Sequence, residues 1–235
     1  RPCHHQRAVA DRGHRLARRE DPGHEAEQPL VLEVRAHAGG VAAGEDEAVE
    51  RAAAIIEEKN PDLDEAERAE VARAVGMGAV KYADLSSDRN RDYVFSFDRM
   101  LAFEGNTAPY LQYVVARVRS ILRKARAEGV PVPGEGGVAM PDSIGVDEPA
   151  ERALALALLA FERVLADTAR SAQPHRLCTY VFDLAQTFTR FYEAAPILKA
   201  NTDTQRSDRL ALAIGTERVM LRGLDLLGID APERM

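Results

Sequence analysis

The chain has 235 residues, of which 46% are hydrophobic, enough apolar material for one large domain or two modest ones. Its 31 lysines and arginines against 38 acids leave a net charge of -7, which excludes a generally basic surface that coats nucleic acid. Any polyanion must therefore meet a local patch. The two cysteines, Cys3 and Cys178, are far apart and lack metal-ligand spacing, so we expect a reducing, cytoplasmic setting without a disulfide framework or a zinc site. No apolar run approaches the roughly 20 residues that span a bilayer, so no membrane partner is expected.

Residues 1–44 differ in composition from the rest of the chain. They hold five of the six histidines and no aromatic residue, and their apolar residues follow neither a helical nor a strand period. Two interpretations stay open: an irregular, disordered leader, or a stretch translated from a shifted frame of a GC-rich gene. The His4-His5 pair has no third ligand at a defined spacing, so no metal site is predicted.

From Glu45 onward the hydrophobic pattern becomes helical. A first predicted helix ends near Lys59 at an Asn-Pro break, and a second begins after a cap near Asp64. Two glycines in the second helix, in "VGMGAV", predict close packing or a bend. The segment "DYVFSF" at 92–97 then alternates apolar and polar residues, as a short strand does.

Four longer helices are predicted in the remainder of the chain, at about 107–127, 149–170, 174–194 and 204–227. The word "GNT" before the first predicts a turn and an N-cap, and a Pro/Gly-rich surface loop separates the first from the second. In the third, apolar residues recur at steps of three or four from Leu177 to Tyr192 and form one core stripe. The fourth ends where Gly228 can supply a C-terminal cap. The expected fold is mainly α, a helical bundle.

The helix predicted at 107–127 is unusually basic and aromatic for an acidic chain. Tyr110, Tyr113 and Arg117 are spaced by three and four residues, so their side chains share a face. Tyrosine rings stack on unpaired bases and cations neutralise phosphates, a combination that recognises single-stranded RNA loops. The alternative is a set of core tyrosines beside a solvated arginine face. Four further cations spread charge over the remaining turns: Arg119, Arg123, Lys124 and Arg126.

Four words of the sequence, in this order, resemble arginyl-tRNA synthetases, a class I family: "VGMGAVKYADLS", "MLAFEGNTAPYLQYVVARVRSILRKA", "YVFDLAQTFTRFYE" and "GLDLLGIDAPERM". The resemblance covers about 45–235 and implies the C-terminal part of such an enzyme. It implies a short remnant of the α/β catalytic domain at 45–105 and a helical, DALR-type anticodon-binding domain at 106–235, with 1–44 outside the family pattern. A cysteine-specific synthetase would share the bundle but not "AFEGNTAPYLQY" or "PERM".

The resemblance also implies a partner, the anticodon loop of an arginine-accepting tRNA. A main-chain carboxylate or carbonyl of Met235 would lie against a base, and Arg123 adds a phosphate contact. The competing hypothesis is a helical protein-interaction domain that buries both tyrosines of the basic helix and binds no tRNA. The expected tRNA-binding residues are Tyr110, Tyr113, Arg117, Arg123, Tyr192 and Met235.

The activity that the resemblance implies is arginine-tRNA ligation, which uses ATP with Mg and arginine in the full-length enzyme. Class I active sites carry a "HIGH"-type and a "KMSKS"-type signature, and neither is legible here. The one candidate for the second, "VLEVRAHAGG" at 31–40, lacks the lysine. We therefore predict no catalytic residue, no cofactor for this chain alone and no aminoacylation by it. A monomer is expected because no further apolar face is evident.

Overall fold

The computed structural model describes residues 38–88, 90 and 96–235, with side chains from residue 44 onward. Residues 1–37, and with them most of "VLEVRAHAGG", lie outside this range. In the described part every regular element is a helix, which confirms the mainly α prediction. In chain order the helices are α1 (Ala38–Lys59), α2 (Glu65–Ser86), α3 (Phe97–Met100), α4 (Ala108–Ala127), α5 (Pro149–Leu159), α6 (Phe161–Ser171), α7 (Pro174–Ala194) and α8 (Asp203–Leu226).

The strand predicted from "DYVFSF" can be assessed only at its end. Residues 92–95 lie outside the described range, and Phe97 begins α3 rather than ending a strand, so the prediction is wrong at that residue. The Phe97 side chain is buried in a small core, so it is apolar because of helix packing and not because of strand alternation. None of the described helices has the length and apolar character that crossing a membrane requires.

Helices α1 and α2 form a hairpin whose turn follows from local chemistry. The turn comes directly after Lys59, as predicted. Helix α1 begins at Ala38, before Glu45, where the helical pattern was expected to begin. The N-terminus of α2 is closed by a capping box: Asp64 accepts a 2.8 Å hydrogen bond from the Glu67 backbone N–H, and the Glu67 carboxylate accepts the Asp64 N–H at 3.4 Å. The predicted cap is therefore confirmed.

Close packing of this hairpin depends on a glycine. A Cβ added at Gly76 would lie 2.7 Å from the backbone N and Cα of Val49 on α1, closer than carbon atoms approach in a packed interior. The glycines of "VGMGAV" thus serve close packing, one of the two readings of the sequence. Around this contact lies a second core, whose members include Ala52, Ile56, Val75 and Leu101.

The main core is built by α4, α5, α7 and α8. The predicted stripe of α7 is buried from Leu177 to Phe191, and only its last member, Tyr192, is exposed. Helix α8 ends with Gly228 in the left-handed region (φ 68°), where its N–H donates to Asp225 O and the next N–H, of Ile229, donates to Leu224 O, both at 2.9 Å. This pair of bonds is a Schellman cap, so the predicted glycine cap is confirmed.

The helix predicted at 149–170 is two helices, because the α-helical ladder breaks at Ala160. The Ala160 N–H donates to Ala157 O at 3.2 Å, a three-residue turn, and α6 restarts immediately after it. The break lets the Phe161 ring stack on Tyr180 with centroids 5.8 Å apart. No glycine or proline marks this position, so the sequence pattern alone could not locate it.

A buried ion pair joins α5 to α8. Arg209 Nε lies 2.6 Å from Glu151 Oε1, and both side chains are almost fully buried. The other carboxylate oxygen accepts the backbone N–H groups of Asp147 and Glu148 at 2.9 and 3.0 Å. Burial opposes ionisation of Glu151, but the Glu148 N–H, the Arg209 guanidinium and the Asp147 N–H together outweigh it and lower the pKa of the carboxyl. The pair is therefore charged in the folded chain at neutral pH.

Removing one partner of this pair should destabilise the bundle strongly. We expect Arg209→Met to lower the free energy of unfolding by about 3–5 kcal/mol, because it leaves a buried carboxylate without its counter-charge. Urea denaturation at pH 7 measures the change. The matched control is Arg222→Met, which ends an exposed pair with Asp225 at 2.6 Å and should cost under about 1 kcal/mol. Equal losses in the two variants would contradict the assigned role of the buried pair.

The pH dependence gives a second reading of the same pair. Because the folded pKa of Glu151 is lowered, its contribution is present above the unfolded pKa, about 4.5, and is lost as the pH falls through the lower folded value. Urea denaturation of the unmodified chain and of Glu151→Gln, repeated from pH 6 downward, measures the difference between their free energies of unfolding. This difference should begin to shrink below about pH 4.5. A difference that stays constant down to the acid transition would contradict the assignment.

The α1–α2 contact yields a further prediction. Gly76→Ala should destabilise the chain by about 1–3 kcal/mol, because its methyl group meets backbone atoms of α1 that cannot yield without separating the helices. Gly44→Ala is the control, since a Cβ there has no atom within 4 Å and should be neutral or slightly stabilising. Thermal unfolding of the two variants compares them, and unchanged stability in Gly76→Ala would show that the hairpin is not tightly packed.

Candidate functional site

A cavity of about 460 Å³ opens between the α1–α2 turn, the middle of α4, the end of α7 and the last residues of the chain. It draws on both parts of the described fold, since the turn belongs to the hairpin and α4 and α7 to the bundle. Five of the six residues expected to bind tRNA line it: Tyr113, Arg117, Arg123, Tyr192 and Met235.

The start of α4 fixes the direction in which its side chains point. Thr107 is the N-cap, as predicted: its Oγ1 accepts the Tyr110 N–H at 3.3 Å and donates to Ala102 O at 2.6 Å. The preceding Asn106 accepts a 2.6 Å hydrogen bond from the buried hydroxyl of Tyr82 on α2. One face of α4 is buried in the main core, and the opposite face carries Tyr113 and Arg117 into the cavity.

Arg117 lies among aromatic rings at the cavity. Its Cζ is 4.9 Å from the ring centroid of Tyr113 and 5.4 Å from that of Tyr192, and its Nη2 donates a short hydrogen bond to the Tyr113 hydroxyl. Within the described residues no carboxylate lies at ion-pair distance from it. The guanidinium is thus held by π faces while its charge stays unneutralised.

Tyr192 combines packing with exposure. Its ring stacks on that of Phe188, with centroids 6.3 Å apart and planes 20° from parallel, yet 38% of the residue remains accessible. Sequence reasoning left open whether this tyrosine belongs to the core or to a binding surface. The ring is anchored on the core through Phe188 and faces the cavity beside Arg117.

The cavity is a local positive patch on an acidic chain. One acidic side chain, Asp62, lines it together with five cations: Lys59, Arg117, Arg123, Lys124 and Arg234. Among them Arg123 is exposed and reaches only a main-chain carbonyl, that of Glu233 at 3.3 Å. Lys124 pairs loosely with Glu128 at 3.8 Å, in the solvent-exposed manner that contributes little.

Two cations of α4 do not supply the free charge that the sequence suggested. Arg126 makes two hydrogen bonds to Glu135, at 2.8 and 2.6 Å, and these bonds raise the pKa of the guanidinium. Arg119 pairs with Glu217 at 2.9 Å and is largely buried. Neither was among the residues expected to bind tRNA, and both are internally paired, Arg126 with an acid of the loop that follows α4 and Arg119 with an acid of α8.

Tyr110 is the expected site residue that the structure does not bring to the cavity. Its ring packs edge-on against Phe182, with centroids 5.8 Å apart, and its hydroxyl lies 3.4 Å from Thr189 Oγ1. It shares a helix with Tyr113 but points toward α7. Met235 is at the cavity, where its side chain also packs against the second core.

The α1–α2 turn is the wall that sequence reasoning missed. The residues involved are Lys59, Asn60, Pro61, Asp62 and Leu63. The signal available was a cation and an amide beside a helix-breaking proline. Nothing in the local pattern linked that turn to a helix some fifty residues further along.

Comparison with known proteins gives this geometry a context. The family model described as DALR anticodon binding domain matches residues 111–235, and that of the catalytic domain of class I (R) tRNA synthetases matches residues 37–97. An arginine–tRNA ligase of Thermobifida fusca (strain YX) is 57% identical over 190 residues, which make up 81% of this chain and 32% of that relative. Another, of Laribacter hongkongensis, is 52% identical over 190 residues, 81% of this chain and 31% of the relative.

Solved structures of arginyl-tRNA synthetases also match this chain. The arginyl-tRNA synthetase of Thermus thermophilus matches with a TM-score of 0.72 at 40% identity, covering 83% of this chain and 32% of that one. The enzyme of Plasmodium falciparum matches with a TM-score of 0.66 at 26% identity, covering 86% of this chain and 34% of that one. The chain thus spans about a third of the length of these relatives. The DALR model matches more than half of the residues of this chain, and the class I (R) model matches the segment before it. The chain therefore belongs to the arginyl-tRNA synthetase family, of which it carries the DALR anticodon-binding domain.

Proposed function

We propose that the cavity binds the anticodon loop of an arginine-accepting tRNA. The observation that carries the proposal is the guanidinium of Arg117, which lies against the rings of Tyr113 and Tyr192 without a carboxylate partner among the described residues. An unpaired base can stack on a ring of this kind, and a phosphate can approach the free face of the guanidinium. Arg123, exposed at the cavity edge, would meet a second phosphate.

The location of the positive charge supports RNA over a protein partner. A chain of net charge -7 repels polyanions at long range, so an RNA contact must be confined to a patch where cations outnumber acids. The cavity, with five cationic side chains and one acidic side chain, is such a patch. A protein-interaction domain that buried Tyr113 would instead require that ring in an apolar interior, whereas it is half-buried beside an arginine. The role of Tyr110 stays a prediction, since its contacts are with α7.

We further propose that the complete protein is an arginine–tRNA ligase that uses ATP with Mg and arginine, acts in the cytoplasm and is a monomer. The residues described here do not fit the nucleotide. In the segment that matches the catalytic family, the N-terminus of α2 is closed by Asp64 and carries Glu65 and Glu67 in its first turn, so this end repels phosphates instead of receiving them. We therefore assign to this chain RNA binding and no step of the chemistry.

A salt titration tests the proposal. Fluorescence anisotropy would report binding of labelled arginine-accepting tRNA and of an unrelated tRNA between about 50 and 200 mM salt, where phosphate contacts make affinity fall steeply. Arg117→Ala should weaken binding and reduce the slope of log affinity against log salt by about 0.7–0.9. Tyr192→Ala should weaken binding by about 1–3 kcal/mol while leaving the slope unchanged, because it removes stacking and no charge.

The control for the titration is Arg126→Ala on the same helix. It removes an equal charge from an arginine that is bound to Glu135 and does not line the cavity, so affinity should change less than about twofold. Equal losses for Arg117→Ala and Arg126→Ala would mean that general charge and not the cavity governs binding. If the arginine-accepting tRNA binds no better than the unrelated one, the anticodon assignment is wrong.

A further inference from the structure

Residues 228–235, called the strap here, leave the end of α8 and lie along α2 and α4. Two side chains from these helices donate hydrogen bonds to backbone carbonyl groups in the first half of the strap. Lys81 Nζ on α2 donates to Gly228 O at 2.6 Å. Gln112 on α4, fully buried, donates through Nε2 to Asp230 O at 2.7 Å and to Ala74 O on α2 at 2.9 Å, so a single amide joins the strap to both helices.

Arg119 holds the second half of the strap. Its Nη1 donates to Ala231 O at 3.2 Å and to Pro232 O at 3.0 Å, and its Nη2 lies 3.2 Å from the Glu233 carboxylate. Its Nε is bound to Glu217 on α8 at 2.9 Å. One guanidinium therefore contacts three consecutive strap residues and is itself fixed to a helix of the bundle.

Apolar packing alone does not hold this part of the strap. Ile229 is buried, but from residue 230 to residue 234 the strap has no fully buried apolar side chain: Ala231 packs on the main core while only partly buried, and Met235 packs in the same way on the second core. A chain end with few apolar contacts frays unless polar contacts restrain it. The position of Met235 at the cavity therefore depends on polar contacts. The shorter bonds of Lys81, Gln112 and Arg119 are supplemented near the end of the strap by Arg123, which donates to Glu233 O at 3.3 Å, and by the exposed pair of Arg234 with Glu67 at 3.7 Å.

We propose that Arg119 and Gln112 are positioning residues for the RNA-binding cavity: they hold the strap across α2 and α4 and thereby fix Met235 as the cavity wall. This inference rests on the proposed function. Arg119 acts here through Met235 and not by touching RNA, since its side chain is only 14% accessible and its donors are already bound. Two arginines one half-turn apart on α4 thus have different tasks, because Arg117 meets the ligand and Arg119 holds a wall of its cavity.

The order of the strap can be measured without RNA. The chain has five methionines, so ¹³C-methyl labelling of methionine gives few NMR signals, and Met235→Leu assigns one of them. In the unmodified chain the Met235 methyl group should give a dispersed signal with restricted motion. In Arg119→Gln it should move to the position and narrow width of a mobile methyl group. Arg119→Lys keeps a charge for Glu217 but cannot reach both carbonyls, and should lie between the two.

The affinity for arginine-accepting tRNA gives the functional half of the test. Arg119→Gln should lower it by about tenfold, because a mobile wall must be ordered again on binding, and the salt slope should stay unchanged because no phosphate contact is lost. Met235→Ala added to Arg119→Gln should cause no further loss, since both changes remove the same wall. Arg126→Gln, whose partner Glu135 is outside the strap, is the control.

The outcomes separate this inference from the proposed function. A Met235 methyl group that stays ordered in both Arg119 variants would show that Arg119 does not hold the strap, and it would overturn this inference. A mobile methyl group with unchanged tRNA affinity, additive losses in the double variant, or a reduced salt slope overturns the positioning role while leaving RNA binding intact. An ordered strap in an unmodified chain that binds no tRNA overturns the proposed function and with it the purpose assigned to Arg119.

Discussion

The contact of Arg117 with the rings of Tyr113 and Tyr192 is the interaction on which the rest of this site depends. Where a carboxylate neutralises a surface guanidinium, that pair must be broken before a phosphate can take the place of the carboxylate. Aromatic faces hold the same group by its π surface and leave its charge and most of its donors available. Such a cavity suits an anionic, aromatic ligand, and this supports the proposed contact with an unpaired RNA loop.

Other arginines of the chain show the opposite use of the same side chain. Arg209 is buried with Glu151 and joins two helices, Arg126 is bound by Glu135 at the end of α4, and Arg119 holds carbonyls of the strap. These contacts restrain the fold and offer no free charge. The net acidity of the chain is compatible with the proposed RNA contact because five cations line one cavity beside a single acidic side chain.

Local features of the fold were predictable from the sequence, and long-range ones were not. The caps at Asp64 and Thr107 and the glycine cap at Gly228 depend on residues within five positions of one another, so their patterns are legible. The break at Ala160 has no such signal. The spacing of the sequence also placed Tyr110 and Tyr113 on one face of α4. A ring near the edge of a buried stripe can turn to either side, however, and contacts with the neighbouring helix α7 decide the side that Tyr110 takes.

The same distinction applies to the cavity. Its bundle side could be inferred from a basic, aromatic helix together with the family resemblance, whereas the α1–α2 turn and the acid that neutralises Arg119 come from segments remote in sequence. The cavity also has one wall in the part that matches the catalytic-domain model and the others in the part that matches the DALR model. A ligand there would contact both.

The most direct test of the central contact is an NMR experiment on the complex with a short RNA hairpin that carries the anticodon loop of arginine-accepting tRNA. The chain has six tyrosines, so labelled ring protons can be assigned by single Tyr→Phe variants. The stacking contact predicts intermolecular NOEs between the ring protons of Tyr113 or Tyr192 and base protons of unpaired loop nucleotides. A saturated complex in which loop protons show NOEs to other parts of the chain, and none to these two rings, would contradict it.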